Sequence, residues 1–181
     1  FFRKRVEPHI QRIAPIRFTD DEVTELNRSC GADLDSAVWN TFEKADVYGS
    51  LIQPPTELAR LADSMLENWS EVTPFDQTVC LSRRYAAVVA NPPYMGAKNM
   101  SDELKKFVQD HYKDGKADLF AAFIMRNQQF IQHGAMLGMI TMQSWMFLSS
   151  FEDLRRKILL SSSIKTMAHL GAGAFDSIGG E

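Results

Sequence analysis

Tyr85-Ala-Ala-Val-Val-Ala-Asn-Pro-Pro-Tyr94 is an apolar run cut off by two prolines. A run as short as residues 86–90, bounded this way, reads as a buried strand of a parallel sheet. Proline has no N–H to give a ladder, so the strand must end at Asn91. Proline also keeps the residue before it out of helical geometry, which leaves Asn91 extended. Asn91-Pro92-Pro93-Tyr94 is therefore a stiff turn at the C-terminal edge of a strand. Open α/β sheets bind their ligands at that edge.

The chemistry of the turn suits an exocyclic amine. The Asn91 side chain carries one acceptor and two donors. The carbonyls of Asn91 and Pro92 are further acceptors that no amide of the turn is obliged to use. An amine such as N6 of adenine offers two N–H donors. If a side-chain oxygen and a backbone oxygen accept both, the nitrogen moves towards sp3 and its lone pair is freed to attack an electrophilic methyl group. Tyr94 adds a flat face for a stacked base, worth ~1–3 kcal/mol. A base used in this way has to leave its duplex first. The bland alternative is a Pro-Pro turn that merely ends a strand, but proline usage of about 5% makes a chance match to all four residues rare.

Asn91-Pro92-Pro93-Tyr94 after an apolar strand resembles motif IV of the amino-group DNA methyltransferases, in the form typical of N6-adenine enzymes. The resemblance implies a class I, Rossmann-like fold that uses S-adenosylmethionine, with Asn91, Pro92, Pro93 and Tyr94 as catalytic residues. It also implies that Asn91 touches the cofactor and that double-stranded DNA is the partner.

Composition is compatible with this and adds limits. The 181 residues are 45% hydrophobic and 24% charged with a net charge of −3, an ordinary globular balance sufficient for a core. No basic footprint marks the chain as a whole, so a DNA contact has to be local or lie elsewhere in a longer protein. Cys30 and Cys80 are unpatterned, and no metal-ligand spacing is present, so reduced thiols in the cytoplasm and no metal are expected. No membrane span is expected, because no apolar run reaches about eighteen residues. The chain opens Phe-Phe-Arg-Lys-Arg without a Met and stops soon after an apolar segment. Both ends read as cuts through a larger protein, and the fragment alone is expected to be inactive.

Along the chain, Ile10, Ile13 and Ile16 fit either a strand over residues 8–18 or a short helix broken at Pro15. Thr19-Asp-Asp-Glu22 is a capping box that starts a helix to about Arg28, and residues 31–36 are turn-like. Residues 37–51 are weakly patterned. Within them Asp46 reads either as part of a loop or as an acceptor for a cofactor's ribose or amine. Pro55 suits the first turn of a helix, and Leu58, Leu61, Ala62, Met65, Leu66 and Trp69 form its apolar stripe. Residues 70–84 read as a polar connection.

Beyond Tyr94, Ser101 caps a helix to about Tyr112, with two acids in its first turn. Residues 113–116 break it. Asp118 opens a helix that Gly134 closes. A strand over 136–141 brings Trp145 to the same sheet edge as Asn91. A helix over 151–160 and a strand over 164–170 follow.

This alternation is that of an α/β protein with a mostly parallel sheet flanked by helices. It is similar to the second half of a class I methyltransferase domain over residues 71–181, preceded by a mainly helical segment or insertion over 1–70. Asp118-Leu-Phe, Gly134-Ala-Met-Leu-Gly-Met-Ile-Thr, Ser144-Trp145 and Leu154-Arg resemble large bacterial adenine methyltransferases. Asp46-Val-Tyr-Gly-Ser-Leu-Ile52 and the opening segment resemble the PglX methyltransferases of BREX phage-resistance systems. The resemblance implies a role in phage defence or restriction-modification, with other defence proteins as partners.

The glycine-rich cofactor loop of such enzymes does not precede Asn91. Gly171-x-Gly173 is the one glycine pair that could serve in a permuted order, though His169 stands where an acid would be expected. Otherwise residues 164–176 are the end of the catalytic sheet, with Phe175 and Trp145 near the target-base pocket. Two other readings stay open: a non-catalytic DNA- or partner-binding relic, and methylation of another amino group such as cytosine N4 or a protein glutamine.

Overall fold

The computed structural model describes residues 12–65 and 74–171. They form two compact units. The first comprises the described residues up to Val88 together with Gln129–Leu137; the second comprises Val89–Gln128 and the described residues from Gly138 onward.

The first unit begins with an extended segment, residues 12–18, that is neither strand nor helix. Two side-chain amides hold it. Gln77 accepts from Ala14 N at 2.6 Å and donates to Ala14 O at 3.2 Å, and Asn40 does the same for Phe18 at 2.6 and 3.1 Å. Each amide stands in for a paired strand, so no ladder is needed.

Helix α1, Asp20–Cys30, starts at the capping box: Glu22 N donates to Thr19 Oγ1 and Thr19 N donates to Glu22 Oε2. It ends at Gly31, whose φ of 61° is left-handed and whose lack of a Cβ permits it. Short helices α2 (Ser36–Trp39) and α3 (Ala45–Tyr48) fill the region that looked weakly patterned. Their core is Trp39, fully buried and edge-on to Phe18 and Phe75 with centroids at 6.3 and 5.7 Å. Its indole N–H donates to Asn27 Oδ1 at 2.9 Å, as a buried tryptophan requires.

Helix α4, Thr56–Ser64, takes Pro55 as its N-cap rather than within its first turn. Leu58 and Ala62 are buried; Leu66 and Trp69 lie outside the described residues. Helix α5, Pro74–Ser82, replaces most of the polar connection expected over residues 70–84. Its polar residues are buried because they are satisfied. Thr78 Oγ1 donates to Pro74 O at 2.7 Å, and Gln77 is the amide that holds Ala14. With those two satisfied, Phe75, Val79 and Leu81 are buried beside them.

Strand β1 is Tyr85–Ala90. In the second unit, α6 (Asp102–His111) starts at Ser101, whose hydroxyl accepts from Leu104 N at 3.2 Å. Helix α7 is Leu119–Phe130 and is followed at once by β2, Ile131–Met139. The sequence expectation of a helix running to Gly134 is thus corrected. Gly134 sits inside the strand with φ 76°, a conformation that glycine adopts without the strain of a Cβ. Helix α8, Glu152–Ser161, completes the elements and packs Leu154 and Ile158 with Phe120, Ala121, Ile124 and Phe151.

β1 and β2 pair in a two-stranded sheet, parallel as expected. Gln132 Nε2 reaches Arg84 O at 3.1 Å at one end, and Ile140 N reaches Ala90 O at 3.1 Å at the other. Two expectations fail here. Residues 164–170 form no strand and are exposed, because among the described residues no neighbour offers them a ladder. β1 is also not a buried strand: Val88 packs on the first core, whereas Val89 on the opposite face is 87% exposed. Among the described residues, no helix is long and apolar enough to cross a membrane.

Candidate active site

The site residues of the second unit stand where β1 ends. Ala90 O accepts from Ile140 N, one residue past β2, and the chain then enters the proline turn. Asn91 and Pro93 are exposed, and Pro92 is buried as the anchor of the turn. Among the described residues, no backbone N–H outside the regular elements donates to the carbonyls of Asn91 or Pro92. Both acceptors stay open for an incoming donor.

Tyr94 folds back on the turn. Its hydroxyl donates to Asn91 Oδ1 at 3.0 Å, and its ring meets Phe120 edge-on at 6.3 Å. Burial pushes the Tyr94 phenol above its ordinary value, so it remains a neutral donor at physiological pH. An amide oxygen has two lone pairs. Asn91 Oδ1 therefore keeps one acceptor position after serving Tyr94, and the bond fixes which way the amide faces.

The loop after Tyr94 is fastened to the start of α7. Met95 N donates to Asp118 Oδ1 at 3.0 Å, and Phe120 N donates to the same oxygen at 3.2 Å. Leu119 N donates to Met95 O at 2.9 Å and Ala97 N to Ala117 O at 3.0 Å. Gly96 and Asp118 form an isolated antiparallel bridge.

Trp145 lies in the short turn Gln143–Met146 after β2. It packs against the Phe120–Phe151 cluster, the same cluster whose Phe120 carries Tyr94, and its indole donates to Thr141 Oγ1 at 3.1 Å. Arg155 on α8 holds that turn, giving Nη1 to the carbonyls of Trp145 at 2.8 Å and Leu148 at 2.6 Å. The structure thus brings Asn91, Tyr94 and Trp145 to elements that share one aromatic cluster. Asp46 is an exposed residue of α3 in the other unit, and Phe175 and Gly173 lie outside the described residues.

Sequence reading did not mark Asp118 or Arg155 as parts of this site. Asp118 reads only as the opening of an apolar helix and as part of the resemblance. Arg155 enters only through the resemblance, since its partners are backbone carbonyls.

The described residues thus form an α/β arrangement whose parallel strand ends at the open, proline-locked Asn91. The family model for the Eco57I restriction-modification methylase matches residues 32–175, and the chain belongs to that family. It is 41% identical over 156 residues to the adenine-specific methyltransferase BrxX of Escherichia coli O9:H4 (strain HS), covering 77% of this chain and 13% of that protein. It is 48% identical over 101 residues to the adenine-specific methyltransferase PglX of Lacticaseibacillus casei (strain Zhang), covering 56% of this chain and 8% of that protein. The chain spans a small part of the length of these relatives.

Proposed function

We propose that the chain works, within a longer polypeptide, as the part of a DNA adenine N6-methyltransferase that receives the target base. The observation that carries this is the turn itself: Asn91 Oδ1 oriented by Tyr94 beside the open carbonyls of Asn91 and Pro92. The names of the relatives, both adenine-specific methyltransferases, support adenine as the target.

On this reading, double-stranded DNA is the substrate, and the adenine is flipped out of its stack. Tyr94 offers its exposed ring face to the base, and Trp145 borders the base pocket. Asn91 and the Pro92 carbonyl accept the two N6 hydrogens, which keeps the nitrogen lone pair free of the ring. The lone pair would form the new N–C bond as the methyl's bond to sulfur breaks, with that bond's electron pair staying on the sulfur and one nitrogen proton passing to solvent. When bound, S-adenosylmethionine supplies the methyl group as an electrophile. In this chain Asn91 is the residue of the turn that would hold it. The open acceptors of the turn fit a methyl-accepting amine.

The fold belonging to this reading is the second half of a class I methyltransferase domain over residues 71–181, with 1–70 as the segment before it. The setting is a phage-defence or restriction-modification system of the cytoplasm, with other defence proteins as partners.

The test is Asn91→Ala in the full-length protein. Removing an acceptor used mainly in the transition state lowers turnover more than binding. N6-methyladenine formation should fall by at least ~10²-fold, by comparison with loss of one oxyanion-hole donor. A folded variant that methylates adenine at the unaltered rate refutes the proposal.

A further inference from the structure

We infer that Asp118 is a positioning residue for the Asn-Pro-Pro-Tyr turn, aligning Asn91 and Tyr94 for the methyl transfer proposed above; the inference rests on that reading of the site. The turn is held at its first end by the sheet, through Ala90 O and Ile140 N. Its middle has no such means, because Pro92 and Pro93 carry no N–H. Two residues beyond the second proline, Met95 N–H meets a side chain, and that side chain is Asp118.

One carboxylate oxygen of Asp118 serves two segments. It accepts from Met95 N at 3.0 Å and from Phe120 N at 3.2 Å. The second bond caps α7; the first ties the turn to that cap. Phe120 also carries the ring of Tyr94. A shift of the Asp118 carboxylate therefore moves both the backbone after Tyr94 and the ring against which Tyr94 rests. The backbone bonds from Leu119 to Met95 and from Ala97 to Ala117 do not use the carboxylate. They keep the loop attached when the side chain is cut back, so what is lost is alignment. A misplacement of about 1 Å at a catalytic group costs roughly 10²-fold in rate.

Three variants of the full-length protein separate alignment from capping. Asp118→Asn keeps an oxygen at the same reach, so it should retain both rate and stability. Asp118→Ser keeps a good helix cap on a side chain too short to serve Met95 as well. It should retain the melting temperature yet lose about 10–100-fold in single-turnover adenine methylation, with the dissociation constant for DNA little changed. Asp118→Ala should lose both rate and melting temperature. Amide exchange at Met95–Ala97 should quicken in the Ser and Ala variants and not in Asn, a readout that needs no reaction. Full methylation rates in Ser and Ala, or equal losses in Asn and Ser, overturn the positioning role while leaving the methyltransferase reading in place. A wild-type protein that methylates no adenine overturns both, whatever the exchange shows.

Discussion

The Tyr94 hydroxyl donates to Asn91 Oδ1 at 3.0 Å, so the first and last residues of the proline turn are joined side chain to side chain. Tyr94→Phe keeps the ring face and its contact with Phe120 and removes only that bond. A bond of this kind is worth about 1 kcal/mol, or roughly fivefold in rate. Single-turnover methylation by the full-length Phe variant should fall by about that factor, with target binding intact. Tyr94→Ala should in addition weaken binding of the target base by ~1–3 kcal/mol. Equal rates for wild type and the Phe variant would show that the orientation of Asn91 is set elsewhere.

Tyr85 gives a prediction about pH. Burial, helped by the Cys80 thiol whose Sγ lies 3.7 Å from the hydroxyl, pushes this phenol up to about 12. A folded value above the unfolded one favours the protonated state in the fold. The associated stability is complete below pH 10 and is lost as pH rises towards 12. Absorbance titration of tyrosinate should lose its latest-ionising group in Tyr85→Phe. Denaturation midpoints of the Phe variant should decline less between those two pH values than those of wild type.

Gly115→Ala probes the packing of the second unit. A Cβ at Gly115 would stand 2.6 Å from Ala122 N and 2.7 Å from Ala121 C. Both are backbone atoms of α7, so the helix itself has to move. Overpacking of this sort costs ~1–3 kcal/mol, which urea denaturation should show as a lower midpoint with unchanged slope. A neutral substitution would mean that α7 shifts freely, and the aromatic contact between Tyr94 and Phe120 would shift with it.

Arg155→Ala should loosen the turn that carries Trp145. The guanidinium gives two bonds to backbone carbonyls there, and a half-exposed pair of this kind is worth about 1–2 kcal/mol. Hydrogen exchange over residues 143–151 should rise while that of α1 and α2 stays as it was. Lysine should restore only part of the protection, because it lacks the planar fork of donors. Uniform change across the chain would point to global destabilisation and against a local tether.

Side-chain caps were legible because their partners lie a few residues away. Thr19 with Glu22 and Ser101 with Leu104 are found in the structure as they read in the sequence. The end of β1 at the prolines and its pairing with the next strand were legible for a similar reason, since a missing N–H is a local property. Helix α5 was not legible. Gln77 is satisfied by Ala14, 63 residues earlier, and no local pattern reveals that a glutamine has found such a partner. The strand expected over 164–170 rested on apolar residues alone, and Ile164, Met167 and Leu170 are each about half exposed or more. Of the site, the Asn91–Tyr94 turn could be read directly. The Asp118 tether could not, because it depends on a bond across 23 residues of sequence.

That short separation has a consequence for the order of assembly. Closing a loop costs more entropy as it lengthens, and the Met95–Asp118 loop is much shorter than the one closed when Ile140 meets Ala90. Chains are made from the N-terminus at about 5–20 residues per second. Asp118 therefore leaves the ribosome a second or more before Ile140, roughly, and can take hold of Met95 while the strand partner of β1 is still being synthesised. On this order the far end of the nascent turn can be fastened before β2 is complete to pair with β1.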